Sequence, residues 1–291
     1  MIYVLNYAVG EPYVSYRKFN SWTAKHIGKA DRVLEYSRED IPSYYIEEHK
    51  SIFSKERGSG LWLWKPYIIY SALQTINDGD WLCYSDSGTV FINRISHLTS
   101  FAEKKGIPIF LTEQPLLCHQ FTKKEAYVLS GIQDGGENQL WGGLVLIKKT
   151  DFIIEFVKEW LRMCEIEELL SPDHFFPEIE EFSDYYAHRE DQSLLTLLRI
   201  KYDLPALRDC SDYGEMPFMY ANPEYAYHPL SYPESDYPTV ILCNRKVFPI
   251  TYFLKYCIKH LLYRCFPNKV ENYYINRAGL SLLSDGTYVN H

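Results

Sequence analysis

Apolar and polar residues alternate along the chain in two rhythms. Short apolar-rich runs at residues 2–6, 32–36, 81–84, 107–111 and 143–147 have the length and side-chain content of buried strands. Between and after them, residues 15–29, 43–53, 66–76, 151–163 and 191–202 carry apolar positions at helical spacing. The 66–76 segment is the clearest, with Pro66 in its first turn and Ile68, Ile69, Ala72, Leu73 and Ile76 on one face. Ser43 is a candidate cap for the 43–53 helix. Asn77-Asp78-Gly79-Asp80 turns the chain into the strand at 81–84. Strand and helix in this alternation predict an α/β fold with a doubly wound sheet, whose ligands collect outside the carboxyl ends of the strands. Residues 203–247, rich in Pro, Tyr and Gly, read as loops and short strands. No internal repeat or low-complexity tract interrupts the pattern.

Charge divides the chain. The net charge is −8 over 291 residues, but the stretch from Arg245 to His291 carries +5 and the rest −13. The acidic body excludes a general nucleic-acid binder, which needs a basic footprint against phosphates. In the basic segment, Ile250, Phe253, Leu254, Cys257, Ile258, Leu261, Leu262 and Cys265 share a helical face, with Lys255, Lys259 and Arg264 away from it. Such a helix either docks on the body or lies on an anionic membrane surface through residues 250–266. Seven scattered cysteines without a C-x-x-C pair read as a reducing compartment with neither zinc site nor disulfide framework. The opening residues look like a first strand and not a secretory signal, and no apolar run approaches the length of a membrane span. The expected location is cytoplasmic, with attachment to the inner face of the membrane if the basic helix binds lipid. The 26 tyrosines suit a sugar-binding cleft, and a compositional bias accounts for them equally well.

Four stretches carry candidate chemistry. Asp86 follows the strand at 81–84 in a tight Ser-Asp-Ser-Gly turn, where it either offers a hard oxygen to a divalent cation or caps its own turn. In Arg57-Gly-Ser-Gly-Leu-Trp-Leu-Trp-Lys-Pro, Gly58 and Gly60 would let backbone amides approach a phosphate, and Lys65 would supply a point charge. Trp62 and Trp64 share a face if the segment is extended, so one is free to stack on a base or sugar while the other belongs to the core. Asp191, in His188-Arg-Glu-Asp-Gln-Ser, opens a helix as either a cap or a carboxylate that deprotonates a hydroxyl. The glycine-rich Asp134–Gly143 stretch, with Glu137, Asn138 and Trp141, reads as a polar loop over a substrate or a connector into the next strand. His228 is a lone candidate for an extra metal or phosphate contact, or a surface histidine.

With RGSGLWLWKPYII, NDGDWLCYSDSG, WGGLVLIKK and HREDQSLLTLL in that order, the chain resembles bacterial and viral polysaccharide-type glycosyltransferases of the GT-A fold. IYVLNY and ADRVLEYSREDI fit the same pattern, and the likeness spans roughly residues 1 to 200. It implies a GT-A-like, Rossmann-like mixed sheet and transfer of a sugar from a nucleotide-sugar, a UDP-sugar foremost, to a hydroxyl of a glycan or lipid-linked acceptor. Mn²⁺ or Mg²⁺ is the implied cofactor. By position Asp86 looks like the first Asp of the metal motif, but Gly88 stands where the second would be, leaving His228 or water to complete the coordination. Asn6 and Tyr7 match nucleotide-contacting positions at the end of the first strand. Arg57, Trp64, Lys65 and Ser87 complete the expected donor side. Trp141, Gly142 and Gly143 look like the acceptor side, and Asp191 like the catalytic or sugar-orienting carboxylate.

These readings together predict a catalytic domain over residues 1–247 and a basic amphipathic helical extension over 248–291, acting in surface-polysaccharide (capsule or O-antigen) synthesis. Two alternatives stay open. A sugar nucleotidyltransferase would share the sheet, metal and phosphates, yet residues 7–13 lack the basic triphosphate loop it needs. A non-catalytic glycan- or nucleotide-sugar-binding protein would account for the degenerate metal motif.

Overall fold

The computed structural model of the protein describes residues 1–244 and 249–290. Among them run β1 (Ile2–Tyr7), β2 (Arg32–Tyr36), β3 (Trp81–Ser85), β4 (Thr89–Phe91), β5 (Ile109–Phe110), β6 (Thr112–Leu117), β7 (Asn138–Leu140), β8 (Leu144–Lys148), β9 (Leu207–Arg208), β10 (Ile241–Cys243), β11 (Leu280–Leu282) and β12 (Tyr288–Asn290). Five make the central sheet, in the order β2-β1-β3-β8-β5. β1 pairs parallel with β2 and β3, whereas β8 is antiparallel to β3 and β5. The sheet is therefore mixed.

Both of its faces are covered, which is why its inner strands read as unbroken apolar runs. Alternate side chains go to opposite sides. Tyr3, Leu5, Tyr7, Leu82, Tyr84, Val145 and Ile147 join a core with the helices Trp64–Thr75, Asp151–Glu165 and Glu190–Lys201. Val4, Trp81, Cys83, Leu144 and Leu146 pack on the other side with Leu98, Phe101 and Ala102 of the helix Ser96–Lys105 and with Ala24 of the helix Tyr13–His26. The Asp151–Glu165 helix starts cleanly because the Thr150 hydroxyl accepts the amide of Ile153 at 3.2 Å.

Several expectations need correction. The 43–53 helix is two pieces, Ser43–Glu48 and Lys50–Phe53, separated at His49, and Ser43 makes no capping bond. The single strand expected at 107–111 is interrupted at Leu111. β5 belongs to the central sheet, while β6 leaves it to pair with β7 and β9. The Arg57–Lys65 run is not extended. Gly58, Ser59, Gly60, Leu61 and Trp62 all have φ between 51° and 100°, forming one left-handed helical turn. Each non-glycine residue in that conformation costs about 1–2 kcal/mol, so the turn persists only because its surroundings enforce it.

The boundary expected at 247/248 lies outside the described residues, as do Arg245, Lys246 and His291. The helices Pro249–Cys265 and Pro267–Arg277 and the β11–β12 hairpin follow. The hairpin is tied back to the body where Tyr227 and Tyr288 exchange backbone hydrogen bonds of 2.8 Å. Cys83, Cys118, Cys164, Cys210, Cys243, Cys257 and Cys265 are all free thiols. Among the described residues, no helix is long and apolar enough to cross a membrane.

Candidate active site

A cavity of about 790 Å³ opens at the carboxyl ends of β1 and β3. Strand alternation brings Leu82, Tyr84 and then Asp86 to one side of β3. The Asp86 amide continues the β3–β8 ladder by donating to the Gly143 carbonyl at 2.9 Å. The turn after it closes through the Asp86 main-chain carbonyl, which accepts both the amide and the hydroxyl of Thr89 at 2.9 Å. Its carboxylate is therefore not spent on capping that turn. Instead Oδ1 accepts the Tyr84 hydroxyl at 2.7 Å, and among the described residues Oδ2 takes no hydrogen bond.

Lys65 is the centre of the site. It enters on the second residue of the Trp64–Thr75 helix, and burial alone would drive its ammonium toward neutrality. Two carboxylates reverse that pressure. Nζ lies 2.8 Å from Asp191 Oδ2 and 4.0 Å from Asp86 Oδ1, and donates to the Gly142 carbonyl at 3.2 Å. The net effect is a pKa raised above the usual lysine value. Lys65 is thus an internal counter-ion between two carboxylates from distant parts of the chain.

Asp191 sits in the first turn of the Glu190–Lys201 helix, where the helix dipole favours a negative charge. It is as buried as Lys65, and burial pushes its carboxyl up to about 6 despite the opposing pull of Lys65. The Trp160 indole donates to the Asp191 carbonyl at 2.9 Å, and the Gln192 side chain accepts the Gly142 amide at 3.1 Å. The helix start and the Trp141–Gly143 segment are thereby locked together. Gly143 has to be glycine: a Cβ there would sit 2.4 Å from the Trp141 ring.

The glycine-rich run shapes the opposite wall. Its amides do not await a phosphate, because residues 59 to 63 all donate to carbonyls between Lys55 and Gly60. The left-handed turn instead positions side chains. Trp62 and Trp64 both line the cavity, but Trp64 is buried, stacked on Tyr7 with ring centroids 4.0 Å apart and donating to the Gly58 carbonyl at 2.8 Å. A Cβ at Gly58 would come within 2.2 Å of the Trp62 ring, and one at Gly60 within 2.7 Å of Phe53. Arg57 lies over the Trp62 ring and forms a tight ion pair with buried Glu190. Glu190 has φ +40°, a strained backbone next to Asp191, and burial raises its carboxyl pKa against the pull of Arg57.

Of the expected site residues, Tyr7, Arg57, Trp64, Lys65, Asp86, Ser87, Trp141, Gly142, Gly143 and Asp191 converge on this cavity. Two do not. Asn6 lies beneath it, donating to Asn20 Oδ1 at 2.7 Å and to the Ser21 hydroxyl at 3.0 Å. Asn20 in turn donates to Ser85 and Thr89, so this buried network props up the Asp86 turn and leaves Asn6 out of ligand reach. His228 is also absent from the lining. Its Nδ1 is engaged with Asn138 Oδ1 at 2.9 Å, because its strand neighbour Pro115 takes its amide and turns it toward β7. Glu137 and Asn138 likewise stay outside the cavity.

Sequence reading missed Tyr84, Glu190 and Gln192. Tyr84 stood two positions before Asp86, the spacing that puts both on one side of a strand. Glu190 and Gln192 flank Asp191 in the same motif. Nothing local marked Tyr13 and Tyr16, which also line the cavity.

Glu56, Asp86, Glu190 and Asp191 line the cavity; Glu190 is paired with Arg57 and Asp191 with Lys65, so Asp86, at the end of β3, is the carboxylate placed to meet a divalent cation. Among the described residues no group of three or more His, Cys, Asp or Glu side chains is placed to hold a metal. The donor set fits only an ion that takes its remaining ligands from a bound diphosphate and water, as magnesium commonly does.

Solved structures similar to this chain include two glycosyltransferases. Mouse xyloside xylosyltransferase 1 in its apo form is 10% identical, with 86% of this chain and 100% of that one covered at a TM-score of 0.47. A glycosyltransferase involved in the glycosylation of the major capsid of PBCV-1 is 11% identical, with 88% and 98% covered at a TM-score of 0.42. No protein-family model and no curated protein matches the chain. With TM-scores below 0.5, neither likeness carries weight for function, which is read from the chain's own residues.

Proposed function

We propose that the protein is a glycosyltransferase that moves a sugar from a nucleoside-diphosphate sugar to a hydroxyl of a glycan or lipid-linked acceptor. The observation that carries this reading is the Asp86–Lys65–Asp191 arrangement at the aromatic-lined mouth of a sheet-edge cavity. The cavity is of the size that encloses a small organic ligand, and its Tyr and Trp walls suit a base or a sugar ring.

In the reaction, the acceptor oxygen forms a bond to the anomeric carbon of the donor sugar. The bond from that carbon to the diphosphate oxygen breaks, and the nucleoside diphosphate leaves with the electron pair. Asp191 takes the acceptor proton if configuration inverts, and faces the positive charge building on the sugar if it is retained. Its pKa of about 6 suits a base that must be ionised near neutrality yet still bind a proton. Lys65 is paired with Asp191 at 2.8 Å and stands 4.0 Å from Asp86, so its role is with the carboxylates and not with a phosphate. Asp86 is the residue that would hold Mg²⁺ or Mn²⁺, with the diphosphate and water completing the coordination. Such an ion, when bound, neutralises charge on the departing diphosphate. Arg57 and Ser87 stand at the wall on which the diphosphate would lie. A UDP-sugar is the donor to test first. Asp191→Asn should retain nucleotide binding and lose at least about a hundredfold in turnover. Unchanged turnover would remove Asp191 from the chemistry.

A further inference from the structure

The helix Pro249–Cys265 is docked on the body with its polar side inward. Tyr252 donates to Asp212 Oδ2 at 2.6 Å and Tyr256 to Glu215 Oε2 at 2.8 Å. His260 Nδ1 lies 2.5 Å from Glu215 Oε1, Lys259 reaches the Met219 sulfur, and Tyr263 packs on Phe218. The apolar side therefore faces out. Ile250, Phe253, Leu254, Ile258, Leu261 and Leu262 are exposed, Ile258 and Leu261 by 62% each. An amphipathic helix on a globular body normally does the reverse.

The charges around this stripe say what covers it. Residues 249 to 270 contain no Asp or Glu, and Lys255, Arg264 and Lys269 are exposed beside or just beyond the apolar positions. A second copy packed on the same face would bring these cations together with no acid to pair them. Crossing a bilayer is ruled out for this helix by its length and by four basic or histidine side chains within it. We propose that the outward face of Pro249–Cys265 lies in the plane of an anionic lipid surface, its apolar side chains among the acyl chains and its Lys and Arg at the headgroups. The proposal stands apart from the transferase reading.

The test is co-sedimentation of the full chain with phosphatidylglycerol–phosphatidylcholine vesicles and with pure phosphatidylcholine vesicles. The chain should pellet with the anionic vesicles, less so as salt rises. Ile258→Glu with Leu261→Glu, and separately Lys255→Glu with Arg264→Glu, should each weaken partitioning on the order of a hundredfold. All four side chains are exposed, so thermal melting at the wild-type temperature checks that the fold is kept. A chain that stays in the supernatant, or an apolar double variant that binds like wild type, overturns the proposal. So does a stable dimer in light scattering that Ile258→Glu with Leu261→Glu dissociates, since the face would then belong to a second copy.

Discussion

Replacing Lys65 with Met removes the internal cation while keeping much of its bulk. Its ammonium lies 2.8 Å from Asp191 Oδ2. At an effective dielectric of about 20, attraction across that gap is capped at about 6 kcal/mol, part of which is offset by desolvation. The Asp191 carboxyl already stands above its ordinary 3.8, at about 6, because of burial. Without the cation, burial acts unopposed and the carboxyl rises further. A group whose folded pKa is raised stabilises the fold at low pH and loses that contribution as pH climbs through the folded value. A further rise of about two units would cost the variant about 3 kcal/mol relative to wild type at about pH 9, above both values. Near pH 5 Asp191 is protonated in both proteins, so this difference nearly vanishes. Urea unfolding at the two pH values reads it directly. Equal destabilisation at both would mean that Lys65 contributes packing alone and would refute the electrostatic coupling on which the site depends.

Three further outcomes follow from the geometry. Turnover should rise with pH along a limb centred near 6, since Asp191 must be ionised to accept a proton, and a limb near 4 would contradict its buried setting. Glu190→Gln leaves Arg57 without its carboxylate partner; donor KM should change several-fold while the fold stays intact, and an unaltered KM would confine the pair to a structural role. Gly60→Ala combines φ +100° with a Cβ 2.7 Å from Phe53, so chemical denaturation should show a loss of about 2 kcal/mol or more. A neutral result there would mean that the left-handed turn is not as drawn.

Much of the scaffold was legible because β1, β3 and β8 are buried on both faces, which compels continuous apolar runs that periodicity detects. Asp86 was legible for the same reason, being the first charged residue past such a run. The left-handed turn was not, since helical and strand spacing both presuppose right-handed or extended backbone. The extended backbone on which Trp62 and Trp64 would share a face is not met there. Lys65 was legible as a site cation but not as a buried counter-ion, because that setting depends on Asp86 and Asp191, which only the fold brings to it. The break at Leu111 escaped notice because β6 (Thr112–Leu117, TEQPLL) carries a proline and polar residues that mimic a loop, and it is held by β7 and β9 from far along the chain. His228 matched a plausible ligand by type, but the chain directs it to Asn138.

The central claim is sugar transfer at the Asp86–Lys65–Asp191 cavity. Its most direct test is release of nucleotide from a panel of UDP-, GDP- and dTDP-sugars, with and without Mn²⁺, supplied with glycan and lipid-linked acceptors. Wild type, Asp86→Ala and Asp191→Asn are compared, with donor binding followed by calorimetry. The account predicts release from one donor by the wild-type chain, weakened donor binding in Asp86→Ala, and intact binding without release in Asp191→Asn. Donor binding without turnover in every combination, unaffected by either substitution, would contradict it and make the cavity a binding site only.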